Sequence, residues 1–114
     1  MALSKSHRLS LCLHRDRLTR EGITSFGRFF TLVSAKNSDP SITVSRFAVL
    51  VSKKTASLAV DRNRIKRLTS ALIESLYSSF SPQDYLIIPQ RQVLTESYSN
   101  LSADLQNLLV KQGV

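Results

Sequence analysis

The sequence predicts an α+β sandwich in which helices pack against a small sheet. Two observations lead to this prediction. The apolar periodicity changes from strand-like to helical near residue 57, and the elements follow the order helix, strands, helix, strand, helix. At 114 residues the chain has room for one modest core, so we expect a single domain over residues 1–114.

The chain is predicted to begin with a helix and to continue into a strand. Residues 7–21 place Leu11 and Leu18 on one helical face, and Gly22 stands where a helix would end. Residues 28–35, RFFTLVSA, are rich in aromatic and β-branched residues, which favours a strand.

The central part of the chain is predicted to form a buried strand and a long helix. Residues 42–52, ITVSRFAVLVS, end in a continuous apolar run, which is typical of a strand covered on both faces. From about residue 57 to residue 79 the period becomes helical. The apolar stripe of this helix is formed by Ile65, Leu68, Thr69, Leu72, Ile73 and Leu76.

A strand and a helix are predicted to complete the chain. Residues 81–84 interrupt the central helix, and residues 84–89, DYLIIP, form a short apolar strand. The last helix is predicted to end near Gly113. One face of it carries Leu101, Leu105, Leu108 and Leu109.

The charge of the chain is one-sided. Residues 1–67 carry 14 Lys and Arg against 4 Asp and Glu, whereas residues 68–114 carry 2 against 4. The net charge is +8. Such a field suits a polyanion, of which nucleic acid is the first candidate and an anionic membrane surface the second. No basic segment has an exposed Trp, Phe or Leu face, and no apolar run reaches membrane-spanning length, so nucleic acid is favoured.

Much of this charge lies where the central helix begins, in VDRNRIKRL at 60–68. Cations near a helix N-terminus oppose the helix dipole at a cost of roughly 0.3–1 kcal/mol each. Asp61, as a possible N-cap, offsets part of that cost. Stability therefore does not explain the cluster, whereas a polyanionic partner does. The helical period turns Asn63, Lys66 and Arg67 to the solvent face, with Arg64 at its flank.

A solvated helix face is the alternative interpretation of this cluster. Two features favour phosphate binding instead. Arg outnumbers Lys in the run, and the guanidinium fork suits bidentate contact with phosphate. A second basic pair, Lys53 and Lys54, follows the central strand only a few residues earlier.

Together these segments resemble a known family. LVSKK at 50–54, followed by RNRIKRL at 62–68, strongly resembles the protein subunit of bacterial ribonuclease P. RLTREG at 17–22, RFFTL at 28–32 and DYLIIP at 84–89 match further segments of that family in the same order. The resemblance implies the order α-β-β-β-α-β-α, with a mixed four-stranded sheet and a left-handed βαβ crossover.

The resemblance also implies a function. The chain would be the protein component of the endonuclease that removes the 5′ leader from precursor tRNA in the cytoplasm. The RNA subunit would carry the chemistry with bound Mg²⁺, so no side chain is predicted to be catalytic or a metal ligand. The protein would raise the affinity for substrate and Mg²⁺, with no membrane and no obligatory protein partner. The RNA-binding residues implied are Lys53, Lys54, Arg62, Asn63, Arg64, Lys66 and Arg67.

A cleft for the single-stranded leader, between the first helix and the sheet, is implied as well. Several of its positions are aromatic in the family but not in this chain, so we expect leader recognition that is more electrostatic and less aromatic. The residues predicted to line the cleft are Arg15, Thr19, Thr31, Val33 and Leu50.

Other functions are less well supported by the sequence. A structural ribosomal protein fits the composition equally well. Only the spacing between the SKK and RNR segments favours the ribonuclease P subunit over a ribosomal protein. A protein-only nuclease needs an acidic metal cluster, and a DNA-binding module needs a helix-turn-helix spacing; neither is apparent. We interpret His7 and His14 as surface or RNA-contacting residues. Cys12, the single cysteine, is interpreted as a core residue in a reducing compartment.

Overall fold

The computed structural model describes Leu18, residues 20–36 and residues 44–112. Four strands and two long helices lie within these ranges, together with two short 3₁₀ helices at Tyr77–Ser79 and Arg91–Leu94. The strands and long helices are β1 (Ile23–Phe26), β2 (Phe30–Ala35), β3 (Arg46–Val49), α1 (Ala59–Ser75), β4 (Asp84–Pro89) and α2 (Tyr98–Gln112).

The four strands form one mixed sheet in the order β1-β2-β4-β3. β2 pairs antiparallel with both β1 and β4, whereas β3 pairs parallel with β4. The predicted mixed four-stranded sheet is therefore confirmed. Because β3 and β4 are parallel neighbours, the connection through α1 is a crossover, as expected. The left-handed sense of this βαβ crossover stays a prediction.

The two faces of the sheet carry separate apolar clusters. The larger cluster joins one face to α1 and α2, and includes Phe30, Phe47 and Tyr85. Phe47 stacks on Tyr85 with ring centroids 5.3 Å apart. The smaller cluster covers the opposite face and consists of Leu18, Val33, Ala35, Ala48 and Leu86, with Leu50 and Ile88 partly buried against it.

The stripe predicted for the central helix is confirmed on α1. Ile65, Leu72 and Ile73 are buried, and Leu68 and Leu76 pack against the same cluster. The predicted N-cap was wrong. The N-cap is Leu58 and has no side-chain capping bond. Asp61 lies in the first turn instead, where its charge still favours the helix dipole.

One of these two helix ends differs from the prediction. The α-helical part of the central helix ends at Ser75, and a 3₁₀ turn takes over the residues predicted to continue it. The predicted first helix, at 7–21, lies mostly outside the described residues, and its described part is helical. The Gly22 amide donates to the Leu18 carbonyl at 2.9 Å. A Cβ at Gly22 would collide with that carbonyl and with Val33, so the close approach needs glycine.

The strands also differ in detail from the prediction. No residues were assigned to β1, a four-residue edge strand that is mostly exposed and therefore lacks a buried apolar pattern. β3 is shorter than the predicted strand at 42–52, because after Val49 only the Leu50 amide continues the pairing, to the Ile87 carbonyl. β4 matches the predicted bounds, and the four leucines predicted to face inward from the last helix are buried.

Candidate nucleic-acid interface

A tight turn presents the basic pair that follows β3. The Thr55 amide donates to the Ser52 carbonyl at 3.1 Å and also lies 3.2 Å from the Ser52 hydroxyl. This double contact is typical of a turn closed by a hydroxyl side chain. Lys53 and Lys54 are the two central residues of the turn, and both side chains are exposed.

Arg62 joins this turn to α1. One of its guanidinium nitrogens, Nη1, donates to the carbonyls of Ala56 (3.0 Å) and Ser57 (2.9 Å). Both acceptors lie in the short connection between the turn and the helix. The predicted RNA-binding residue Arg62 therefore also has a structural role, since it holds the connection that carries Lys53 and Lys54 next to the helix.

The outer face of α1 carries the remaining predicted residues in two groups. Asn63, Lys66 and Arg67 line one shallow depression together with Val60. Arg64 is exposed as well, but it lines a separate groove between α1 and the start of α2. This division agrees with the helical period, which placed Asn63, Lys66 and Arg67 on the solvent face and Arg64 at its flank.

The cations of this region are not neutralised by other described residues. Among the described residues, no hydrogen bond or ion pair is formed by the side chains of Lys53, Lys54, Arg64, Lys66 and Arg67. The acidic residue of α1's first turn is Asp61. We define the basic surface as Lys53, Lys54, Arg62, Asn63, Arg64, Lys66 and Arg67. An unpaired cationic surface of this kind attracts a polyanion and releases its counterions on binding.

A concave surface lies on the other face of the sheet, where the leader cleft was predicted. Three of the predicted residues, Thr31, Val33 and Leu50, meet there. Arg15 and Thr19 fall outside the described residues. The full lining, defined here as the sheet concavity, is Leu18, Thr24, Phe26, Thr31, Val33, Leu50, Leu86 and Ile88.

Five residues of this concavity were not predicted to line it, and Phe26 is the aromatic one among them; the other four are Leu18, Thr24, Leu86 and Ile88. Phe26 pairs with Thr31 across the β1–β2 ladder, and 72% of its surface is exposed. Leader recognition was expected to be less aromatic than in the family, and Phe26 supplies an aromatic group that this expectation did not include. The sequence did contain a signal for the position of Phe26. Thr24 and Phe26 are two residues apart after Gly22, which places both on one face of a strand.

The buried acidic groups serve the fold. Asp84 pairs with Arg46, and Asp104 accepts bonds from three backbone amides. The described residues contain no group of three or more His, Cys, Asp or Glu side chains arranged to hold a metal ion. His7, Cys12 and His14 lie outside those residues.

Comparison with known proteins identifies the family. The model of the ribonuclease P family matches residues 3–113. The chain belongs to the ribonuclease P protein family. A ribonuclease P protein component from Microcystis aeruginosa is 33% identical over 116 residues, covering 100% of this chain and 97% of the relative. Another, from Pseudanabaena sp., is 35% identical over 77 residues, covering 67% of this chain and 66% of the relative.

Solved structures of ribonuclease P proteins share the fold. A mutant of the Staphylococcus aureus protein superposes with a TM-score of 0.82 at 24% identity, covering 96% of this chain and 91% of that one. The Thermotoga maritima protein superposes with a TM-score of 0.78 at 22% identity, covering 90% of this chain and 94% of that one. The family resemblance and the α+β fold predicted from the sequence are both confirmed. Within the described residues, no helix has the length and apolar character needed to cross a membrane.

Proposed function

We propose that this chain is the RNA-binding subunit of a ribonucleoprotein that cleaves the 5′ leader from precursor tRNA. Membership of the ribonuclease P protein family supports the assignment, as do relatives named as protein components of that enzyme. In this proposal the RNA subunit carries the chemistry and the protein contributes binding. The single cysteine agrees with the cytoplasmic location that we propose.

The basic surface is the observation that carries the proposal. Apart from Arg62, its cationic side chains have no hydrogen-bond or ion-pair partner among the described residues, and it combines a lysine turn with an arginine-rich helix face. Arg guanidinium groups bind phosphate by two parallel hydrogen bonds. Asn63 adds an amide that both donates and accepts, which suits a ribose hydroxyl or a base edge. We propose that this surface docks on the RNA subunit.

The sheet concavity is our proposed site for the leader. It lies on the opposite face of the sheet from α1 and α2, so one molecule has separate surfaces for the two RNAs. Its described lining is apolar or hydroxyl-bearing, which suits unpaired bases rather than phosphates. In this proposal the subunit raises substrate affinity by holding the leader while α1 holds the catalytic RNA.

Magnesium belongs to the RNA in this proposal. The described residues offer no cluster of ligands for it. What the protein contributes to metal affinity is indirect. Because the basic surface neutralises phosphates of the RNA, it reduces the repulsion that would otherwise be balanced by divalent ions. We therefore expect the protein to lower the Mg²⁺ concentration required for cleavage.

The proposal is tested by precursor-tRNA cleavage at low Mg²⁺, using the cognate ribonuclease P RNA with and without this protein. We expect cleavage that depends on the protein. Arg67→Ala is expected to weaken the affinity of the protein for the RNA by roughly tenfold through loss of one charge-assisted contact. Arg91→Ala is the matched control, because Arg91 is an exposed arginine of the 3₁₀ helix Arg91–Leu94 and is not part of the basic surface.

Two results would contradict the proposal. If cleavage is the same with and without the protein at every Mg²⁺ concentration, the subunit assignment fails. Preferential binding to ribosomal RNA would then favour a structural ribosomal protein. If Arg67→Ala and Arg91→Ala weaken binding equally, the chain has a diffuse electrostatic attraction to RNA, and the docking surface is wrongly placed.

A further inference from the structure

We infer that Phe26 stacks on one unpaired base of the leader, and that Arg28 and Lys111 hold the neighbouring phosphate. This inference rests on the leader site proposed above and adds a base-stacking residue to it. Phe26 forms part of two adjoining depressions, the sheet concavity on one side and a cationic depression that contains Arg28 and Lys111 on the other.

The register of the sheet fixes the direction of the Phe26 side chain. Directly paired residues share a face, so the ladder places Phe26 beside Thr31, and Thr31 beside Ile88. Thr24 and Val33 form the next pair on the same face. The aromatic ring therefore extends the floor of the sheet concavity at its edge, where 72% of the residue is exposed to solvent.

Stability does not account for an aromatic residue at this position. An exposed phenylalanine at the end of an edge strand gains little from burial and presents apolar surface to water. The ring face is instead available to a flat apolar partner. Nucleobases stack on aromatic side chains in proteins that bind single strands, and stacking tolerates any base because each has a π-face.

The backbone that carries Phe26 is held in place before any ligand arrives. The Lys111 ammonium lies 3.3 Å from the Phe26 carbonyl, and the Gly27 amide donates to the Phe30 carbonyl at 2.8 Å. Asp104 accepts bonds from the next three amides. A preorganised surface loses little conformational entropy on binding, so the stacking energy is largely retained as affinity.

The cationic depression supplies the charge that the sheet concavity lacks. Arg28 and Lys111 are both exposed. Asp104 also lines this depression, but it is buried and its carboxylate oxygens accept bonds from backbone amides at 2.8–3.2 Å. A strand that places a base on Phe26 therefore meets two cations on one side and apolar surface on the other. This arrangement fits a single strand running over the edge of the sheet.

The test uses the reconstituted RNA–protein holoenzyme and two precursor tRNAs, one with a leader of several nucleotides and one without. We expect Phe26→Ala to reduce the affinity for the leader-bearing precursor by about 5- to 100-fold, and to leave the leaderless RNA unaffected. Phe26→Trp restores the affinity, whereas Phe26→Leu, which keeps apolar bulk, does not. Ile23→Ala is the matched control, because Ile23 lies on the same strand, is 63% exposed and faces the other side.

An abasic scan of the leader locates the stacked base. At one leader position, removal of the base is expected to weaken wild-type binding and to leave Phe26→Ala binding unchanged. Equal leader dependence in wild type and Phe26→Ala would overturn the inference while leaving the leader site intact. Equal losses in Ile23→Ala and Phe26→Ala would overturn it as well. If wild type itself does not distinguish the two precursors, the leader site proposed above fails, and the inference fails with it.

Discussion

Arg46 and Asp84 form a two-point ion pair between the first residues of β3 and β4. Nε of Arg46 lies 2.8 Å from Oδ1, and Nη2 lies 2.8 Å from Oδ2. Asp84 is completely buried, and the two residues are direct partners in the parallel ladder. The hydrogen bond to Asp84 raises the pKa of Arg46 above its usual value. This pair fixes the register of the two strands that α1 connects.

Breaking this pair is expected to destabilise the fold strongly. Arg46→Met leaves the Asp84 carboxylate buried without its partner, and we expect a loss of about 3 kcal/mol in the free energy of unfolding. Urea denaturation at neutral pH measures it. The double variant Arg46→Met/Asp84→Leu removes both charges and is expected to recover most of that loss. Arg91→Met, at an exposed site, is the control. If Arg46→Met lowers the free energy of unfolding no more than Arg91→Met does, the pair does not stabilise the sheet.

Asp104 is expected to organise the β1–β2 turn. Its carboxylate accepts bonds from the amides of Arg28, Phe29 and Phe30, 74 to 76 residues away in the chain. Asp104→Ala leaves these donors unsatisfied, so we expect a loss of about 3 kcal/mol or more in the free energy of unfolding. Thermal and urea unfolding measure the loss. Glu74→Ala, at an exposed site on α1, serves as the control and is expected to cost under about 0.5 kcal/mol.

Gly27 and Asp104 are expected to be energetically coupled. A Cβ at Gly27 would lie 2.7 and 2.9 Å from the two carboxylate oxygens of Asp104. We expect Gly27→Ala to cost about 1–3 kcal/mol in the wild-type background, because it crowds the carboxylate. In the Asp104→Ala background the same change is expected to cost less. A double-mutant cycle measures the coupling, and strict additivity would contradict the contact.

Tyr85 is expected to make the fold sensitive to alkaline pH. Burial raises the pKa of Tyr85 from 10.0 to about 12, and its hydroxyl donates to the Ser81 carbonyl at 2.7 Å. Because the folded-state pKa is above the unfolded value, this contribution is complete below about pH 10 and is lost towards pH 12. The loss amounts to roughly 2 kcal/mol.

The measurement for Tyr85 compares unfolding of the wild type and Tyr85→Phe at about pH 9 and about pH 11.5. The other titrating groups are common to both proteins, so the difference between them isolates Tyr85. We expect the stability advantage of the wild type to shrink or reverse at the higher pH. An advantage that is independent of pH would mean that the Tyr85 hydroxyl ionises alike in the folded and unfolded states.

Substitutions of Arg62 and Arg67 are expected to differ in their effect on stability, although both weaken RNA binding. Arg62→Ala removes the bonds to the Ala56 and Ser57 carbonyls, so we expect a loss of about 1 kcal/mol in unfolding free energy as well as weaker RNA binding. Arg67→Ala is expected to change stability by less than about 0.5 kcal/mol. It should still lower the slope of log affinity against log salt by about 1, as expected for a phosphate contact. Equal stability losses in the two variants would contradict this division of roles.

Periodicity was a reliable guide where an element has one buried side. The stripe on α1 and the leucines of α2 were predicted correctly, because burial selects apolar residues at the helical period. β1 was missed because it is short and mostly exposed, so burial leaves almost no pattern in its sequence. The predicted cap at Asp61 was wrong, because the helix begins two residues earlier, at Ala59, after an apolar residue that offers no capping group.

The sequence by itself determined the family, the order of the helices and of three strands, and the concentration of cations near the start of α1. These properties are local: they depend on composition, on spacing and on periodicity over one element. Only the tertiary structure decided which residues meet across the chain. Asp104 binds amides more than 70 residues away, Arg46 pairs with Asp84 across 38 positions, and Phe26 joins the sheet concavity through its pairing with Thr31. Such contacts depend on strand register and helix packing, which no short stretch of sequence encodes.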